Sequence, residues 1–275
     1  MGRPGGQQSK GRKAWGQHRG RIRVADGALR PFGPGDLTPP LLKRRAILYV
    51  DGYNLFHALL DQRRREWLWL DLQALGRGLI EPTERLAGVV WVSAHKPQSR
   101  SRMEALFRYE AALRARRVRC LMGHFIVHGE HCRACGNVWS ASTEKQSDVN
   151  LALAVADDVA ANRVDSVYLL TTDGDHAATV RYVREAYPAK RIVSVAPPGR
   201  VHNRQIAAWT DELVGIGPNL LAGSMLPDRL KTARGWVERP EAWSARPSLP
   251  PPPDPPPTND AGKTKAGHLR LVVSN

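Results

Sequence analysis

The stretch Ala46–Asn54 reads AILYVDGYN. Five apolar residues run without polar alternation, which is the pattern of a strand buried on both faces. An acid and a glycine follow at once, and a helix-compatible segment runs from about Asn54 to Arg65. A buried strand that ends in an acid and turns straight into a helix is the opening unit of a parallel α/β sheet.

The same alternation continues outward. Val89–Ser93 (VVWVS) reads as a second strand, Arg102–Arg117 as a long helix, and Val118–Val127 as a third, partly extended segment. Asp148–Ala161 is a helix, Ser166–Thr171 (SVYLLT) a strand, His176–Ala186 a helix and Arg191–Ala196 (RIVSVA) a last strand. Gln205–Val214 is expected to close the domain as a helix. Short strands separated by helices predict an α/β fold with a mainly parallel sheet covered on both faces. In such sheets ligands bind beyond the carboxyl ends of the strands, near the point where strand order reverses.

The folded part is expected over 45–217. Residues 1–44 are rich in Gly, Arg, Gln and Pro without apolar periodicity and read as a disordered basic arm. Residues 218–275 read as a Pro-rich, largely disordered tail, because Ser248–Pro257 (SLPPPPDPPP) enters neither a helix nor a central strand. Net charge is +15, distributed unevenly: residues 1–45 carry +9, residues 219–275 carry +3, and the folded part between them carries the rest. A flexible basic arm is either a solvated tail or a phosphate-contacting one. No run approaches the roughly 18 apolar residues that span a bilayer, and no apolar stretch of signal-peptide type follows the basic N-terminus. The expectation is a soluble, cytoplasmic protein without membrane contact. The three cysteines, Cys120, Cys132 and Cys135, are too few for a disulfide framework and fit a reducing compartment.

The acids fall at telling places. Asp51 follows the first strand, Asp173 and Asp175 follow the fourth, and Asp148 opens the helix before it. Carboxylates brought together from distant sequence repel one another unless a cation offsets them. Oxygen ligands in that number suit Mg²⁺ or Mn²⁺, ions that activate water and stabilise charge on a phosphoryl group. Each acid also has a structural reading: Asp is common after strands and at N-caps, Asp148 can cap its helix, Asn54 the first helix, and Gly52 and Gly174 can serve tight turns. The joint arrangement carries the functional expectation. Asp157 and Asp158 lie off the helical face of Asp148 and read as exposed.

Three segments, AILYVDGYN (46–54), EKQSDVNLALAVA (144–156) and YLLTTDGD (168–175), resemble in order and spacing the NYN domain family, a PIN-like group of ribonucleases that includes the LabA-like proteins. The resemblance covers about residues 46–215. It implies a PIN-like Rossmannoid three-layer sandwich and a Mg²⁺- or Mn²⁺-dependent nuclease site acting on RNA. By position it implies Asp51, Asp148 and Asp173 as metal ligands, Asp175 as a further ligand or water orienter, and Asn54 as a substrate- or water-positioning residue. The sequence departs from the family where Thr171, Thr172, Gly174 and His176 stand in place of Ser, Gly, Ser and an apolar residue. Ala154 stands where some members carry another acid.

Between the third extended segment and Asp148 lies HGEHCRACG (128–136). Cys132-x-x-Cys135 followed by glycine is the shape of a zinc knuckle, half of a four-ligand site. Cys120, His124, His128 and His131 are candidates for the other half, and two ordinary hairpin cysteines are the alternative. Lys145, three residues before Asp148, is placed to meet a substrate phosphate. The expected function is a metal-dependent endoribonuclease, with RNA as partner and DNA as the other choice, and with a homodimer left open. The alternative is a nucleic-acid-binding regulatory module with vestigial aspartates. A haloacid dehalogenase-like phosphatase does not fit, since no Asp-x-Asp follows the first strand.

Overall fold

The run that opens the sequence reading becomes strand β2, Arg44–Asp51, and its two faces serve two different cores. Ala46, Leu48 and Val50 pack into one apolar cluster and Ile47 and Tyr49 into another. The same two-residue alternation divides Val89 and Trp91 from Val90 and Val92, and Tyr168 and Leu170 from Val167 and Leu169. Side chains of a strand point alternately up and down, so each central strand supplies both layers. The structure, a computed structural model of the chain, describes residues 21–26, 43–95 and 100–244.

In chain order the elements are β1 (Arg21–Ala25), β2, α1 (Gly52–Asp61), a 3-10 turn (Arg65–Leu68), α2 (Leu72–Leu79), β3 (Glu84–Ala94), α3 (Arg100–Ala115), β4 (Arg119–His131) and β5 (Val138–Lys145). Then come α4 (Ser147–Ala160), β6 (Ser166–Leu170), a 3-10 turn (Gly174–His176), α5 (Ala177–Ala186), β7 (Arg191–Ala196), α6 (Arg204–Ala207) and β8 (Glu212–Ile216). The last are α7 (Pro218–Gly223), β9 (Arg229–Thr232), β10 (Gly235–Glu238) and a 3-10 turn (Glu241–Trp243). The main sheet has eight strands in the order β1-β8-β7-β6-β2-β3-β4-β5. All neighbours run parallel except β4 and β5, which are antiparallel. The expected α/β class with a mainly parallel, helix-covered sheet is therefore present. From β2 the chain winds one way through β3 and β4 and the other way through β6, β7 and β8. The strand order reverses between β2 and β6.

Several boundaries differ from the sequence reading. Within the basic arm, Arg21–Ala25 forms an edge strand paired with β8. Its Arg23 bonds Glu212 and the Leu79 carbonyl, so charge that looked solvated is spent on internal partners. Residues 1–20 and 27–42 lie outside the described residues. Beyond 217 the chain stays folded to residue 244: Leu220, Leu221, Leu226 and Trp243 are buried in the same cluster as α1 and α2. Trp243 packs against Trp69 and Tyr109, and the Trp69 indole donates to the Pro227 carbonyl at 2.9 Å. Sparse apolar residues hid this segment, because its buried ones fill gaps in a core laid down elsewhere. The polyproline tract lies outside the described residues.

The expected helix over Gln205–Val214 stops at Ala207. Asp211 exchanges hydrogen bonds with the Ile192 backbone and starts β8, whose Leu213 and Val214 are buried beside β7. Asp158, expected exposed, is buried: the Arg119 and Arg163 guanidiniums and the Tyr49 hydroxyl at 2.9 Å satisfy its carboxylate. No helix among the described residues is long and apolar enough to cross a membrane.

Candidate metal centre

Asp51 ends β2 and caps α1, its Oδ1 accepting the Asn54 backbone N–H at 3.0 Å. Its Oδ2 accepts the Thr171 hydroxyl at 2.9 Å. Asn54 is thus not the cap. Its side-chain oxygen reaches the loop after β6, accepting from the Thr172 N–H at 3.2 Å and the Thr172 hydroxyl at 3.3 Å. Thr171 and Thr172 therefore sew the end of β2 to the loop after β6. Gly52 allows this corner to sit against β3, since a Cβ there would lie 2.3 Å from Trp91 Nε1 and 2.7 Å from the Val92 carbonyl oxygen.

Asp148 comes from the first turn of α4. Gln146, with φ of 77°, precedes that helix without a side-chain cap, so Asp148 is free of the capping role. His176 comes from the 3-10 turn after β6 and is 1% exposed. Its Nε2 is buried without a hydrogen-bond partner and stands 3.4 Å from Asp148 Oδ1. One ligand atom each of Asp51, Asp148 and His176 lies within 4.8 Å of the others. Such a trio, with an imidazole nitrogen otherwise unsatisfied in the interior, fits a divalent cation.

Asp173 caps the 3-10 turn through a 3.1 Å bond to the Asp175 N–H and lines the same cleft of about 370 Å³. Asp175 is exposed and does not line it, nor does Lys145, which is exposed at the end of β5. The sequence reading placed the fourth acid on Asp175, whereas the structure brings in Glu144 and His176. Glu144 was visible only as part of a matching segment, and His176 only as a departure from it. Tyr53, His57 and Arg200 complete the opposite wall. Tyr53 meets His57 edge-on at 4.6 Å and Phe125 at 6.3 Å, and the Arg200 guanidinium pairs with Asp61.

Burial pushes the Asp51 carboxyl above its usual range, against the hydrogen bonds from Asn54 and Thr171 and the nearby His176, while the charge of Asp148 adds to the rise. Burial likewise raises Glu144, opposed by the Ser147 hydroxyl and reinforced by Asp51 and Asp148. Desolvated carboxylates facing one another favour protonation or a cation.

No family model matches the chain. It is 28% identical over 247 residues to the 6-hydroxy-3-succinoylpyridine 3-monooxygenase HspA of Pseudomonas putida, covering 74% of this chain and 77% of that one. A solved protein of unknown function from Vibrio parahaemolyticus aligns at a TM-score of 0.45 and 16% identity over 69% of this chain and all of the other, 100%.

Proposed function

We propose that this protein is a divalent-metal-dependent endoribonuclease of NYN type, whose cation is held by Asp51, Asp148 and His176. The carrying observation is the buried, partnerless Nε2 of His176 beside two carboxylates from separate elements, at the point where strand order reverses. When bound, the cation supplies charge neutralisation at phosphoryl oxygens and acidifies water. An imidazole beside two carboxylates shifts the preference from Mg²⁺ toward Mn²⁺.

The chain's own groups set the remainder. Thr171 and Asn54 hold Asp51 in place. Asp173 extends the acidic wall. Arg200, whose charge Asp61 largely offsets, lends the cleft guanidinium N–H donors for a phosphate once the cation is bound, and Tyr53 with His57 offers faces for an unpaired base to stack on. Assays on single-stranded RNA and DNA with Mn²⁺ or Mg²⁺ test the reading. Cleavage of RNA by the native chain, lost in Asp51→Asn and in His176→Ala, is expected. Metal-independent cleavage, or full activity in both variants, would sink it.

The relative in Pseudomonas putida favours a second reading, an oxygenase acting on a hydroxypyridine. It would use the same trio for a redox-active ion. Oxygen consumption with 6-hydroxy-3-succinoylpyridine and an electron donor, in place of RNA cleavage, would select it.

A further inference from the structure

Strand β4 pairs with β3 only from Arg119 to Gly123, and from His124 to His131 its sole strand partner among the described residues is β5. The two strands stand off the sheet as an arm with both faces open. Val127 and Val138 are exposed on one face, Ile126 and Trp139 on the other. A two-stranded hairpin alone is marginal in water. Clustered exposed apolar side chains beside an open sheet edge mark a contact surface.

The arm ends in the Cys-x-x-Cys turn. The Cys132 N–H donates to the Asn137 carbonyl at 2.8 Å and the Gly136 N–H to the Cys132 carbonyl at 2.8 Å, with Gly136 at φ of 69°. Cys132 is half-buried and Cys135 exposed at this turn, and both are free thiols. Two thiolates so placed are half of a closed tetrahedral site. The other half does not appear among the described residues, since Cys132 and Cys135 share no grouping of three or more ligands with Cys120, His124, His128 or His131. Among the described residues the grouping of three or more His, Cys, Asp or Glu ligands is Asp51, Asp148 and His176. Cys120 is buried near the other end of β4, roughly 40 Å back along an extended strand. His124 faces Gln146 at 3.2 Å and His128 faces Glu130 at 3.1 Å.

We propose that Cys132 and Cys135 from two copies of this chain together hold one zinc ion, and that the arms pack against each other around it as a homodimer interface. A two-fold axis through the ion doubles two thiolates into a closed set, the isologous arrangement of most dimers. Soft thiolates select zinc over the hard cations suited to the aspartate cleft. Four thiolates leave the centre with a net negative charge, and the exposed Arg133 of each chain lies beside it in sequence. The apolar residues on the arm then gain the cover they lack in a single chain. This inference does not rest on the nuclease reading.

The test uses the full chain, purified under reducing, chelator-free conditions, with elemental analysis and light scattering on the same sample. One zinc per two chains in a dimer is expected. A strong chelator should release monomers of 30.5 kDa, and added zinc should restore the dimer. Cobalt substituted for zinc should show charge-transfer absorption of the intensity a four-thiolate site gives. Cys132→Ser should be monomeric and zinc-free. Chelation of the native chain gives the same readout should that variant fail to fold. Zinc absent, one zinc per monomer, or a dimer indifferent to chelator would overturn the proposal.

Discussion

The Thr171 hydroxyl donates to Asp51 Oδ2 at 2.9 Å and accepts the Asp173 backbone N–H at 3.0 Å. One oxygen thereby fixes the end of β2 relative to the loop after β6, and both acids take their places from it. Thr171→Val keeps the shape and removes the bond. It should cost about 1–3 kcal/mol, since a buried acceptor loses its donor. It should also weaken Mn²⁺ binding roughly 10–100-fold, as loss of orienting partners does elsewhere. Urea denaturation and calorimetric titration measure the two effects. Unchanged Mn²⁺ affinity would mean the hydroxyl does not position the ligand.

Mn²⁺ should raise the melting temperature of the native chain, since a ligand of the folded state stabilises it by about 2.7 kcal/mol at a hundred times its Kd. In Asp51→Asn combined with Asp148→Asn the shift should vanish. An equal shift in that variant would place the ion elsewhere.

Trp243 is buried against Trp69, Tyr109 and Phe56. Trp243→Ala should therefore cost about 3–5 kcal/mol, and a chain cut after residue 217 should melt lower still. Chemical denaturation of both decides the point. A truncated chain as stable as the whole would return the segment to the status of a tail.

Two acids at the far end of the sheet set an acid limit. The hydrogen bonds and charge of Arg45 hold Asp165 well below the usual carboxylate range despite partial burial. Burial works against the charge of Glu84, but bonds from Ser166, Tyr168 and Glu81 and the charge of Arg191 outweigh it and lower the pKa. Both folded values lie below the unfolded ones, so their contribution is complete above about pH 4.3, the ordinary range. It fades as pH falls through the folded values. Melting temperature plotted against pH should drop less steeply below pH about 4 in Asp165→Asn and Glu84→Gln than in the native chain. Parallel curves would show that neither acid is linked to folding.

Burial pushes the Cys120 thiol up to about 12, whereas Cys132 is lowered and reaches solvent. With a chelator present at neutral pH, an alkylating reagent should modify Cys132 quickly and leave Cys120 untouched in the folded chain. Mass spectrometry of peptides after brief exposure reads the order. Equal rates would contradict the burial of Cys120.

What the sequence revealed follows what local pattern encodes. β2, β3, β6 and β7 were legible because each is buried on both faces and reads as a bare apolar run. Asp51, Asp148 and Asp173 were legible because strand ends and helix starts place them at one edge of the sheet. His176 was not, since a histidine after Asp-x-Asp has no periodic signature and acquires meaning only when its ring is buried beside Asp148. Glu144 was hidden for a related reason: its position depends on β5 folding back along β4, which no short-range pattern announces. The basic arm misled in another way. Arg23 and Arg45 count toward a free positive surplus, yet Glu212 and Asp165 engage them. β1 escaped notice because backbone pairing with β8 and the Arg23–Glu212 bond hold it while Ile22 and Val24 stay exposed, and the segment from 218 to 244 because Leu220, Leu221, Leu226 and Trp243 complete packing begun by distant parts of the chain.

The charge of the cleft carries a consequence for timing. Four carboxylates, Asp51, Glu144, Asp148 and Asp173, face a single guanidinium, Arg200, whose charge Asp61 already offsets. A polyanion arriving before any cation meets a repulsive potential, and a cation arriving first meets an attractive one. On the proposed nuclease reading, cation loading should therefore come first and a phosphate chain should settle only afterwards. Saturating nucleic acid should then fail to substitute for scarce metal, and raising ionic strength, which screens both fields, should blur the order in which they enter.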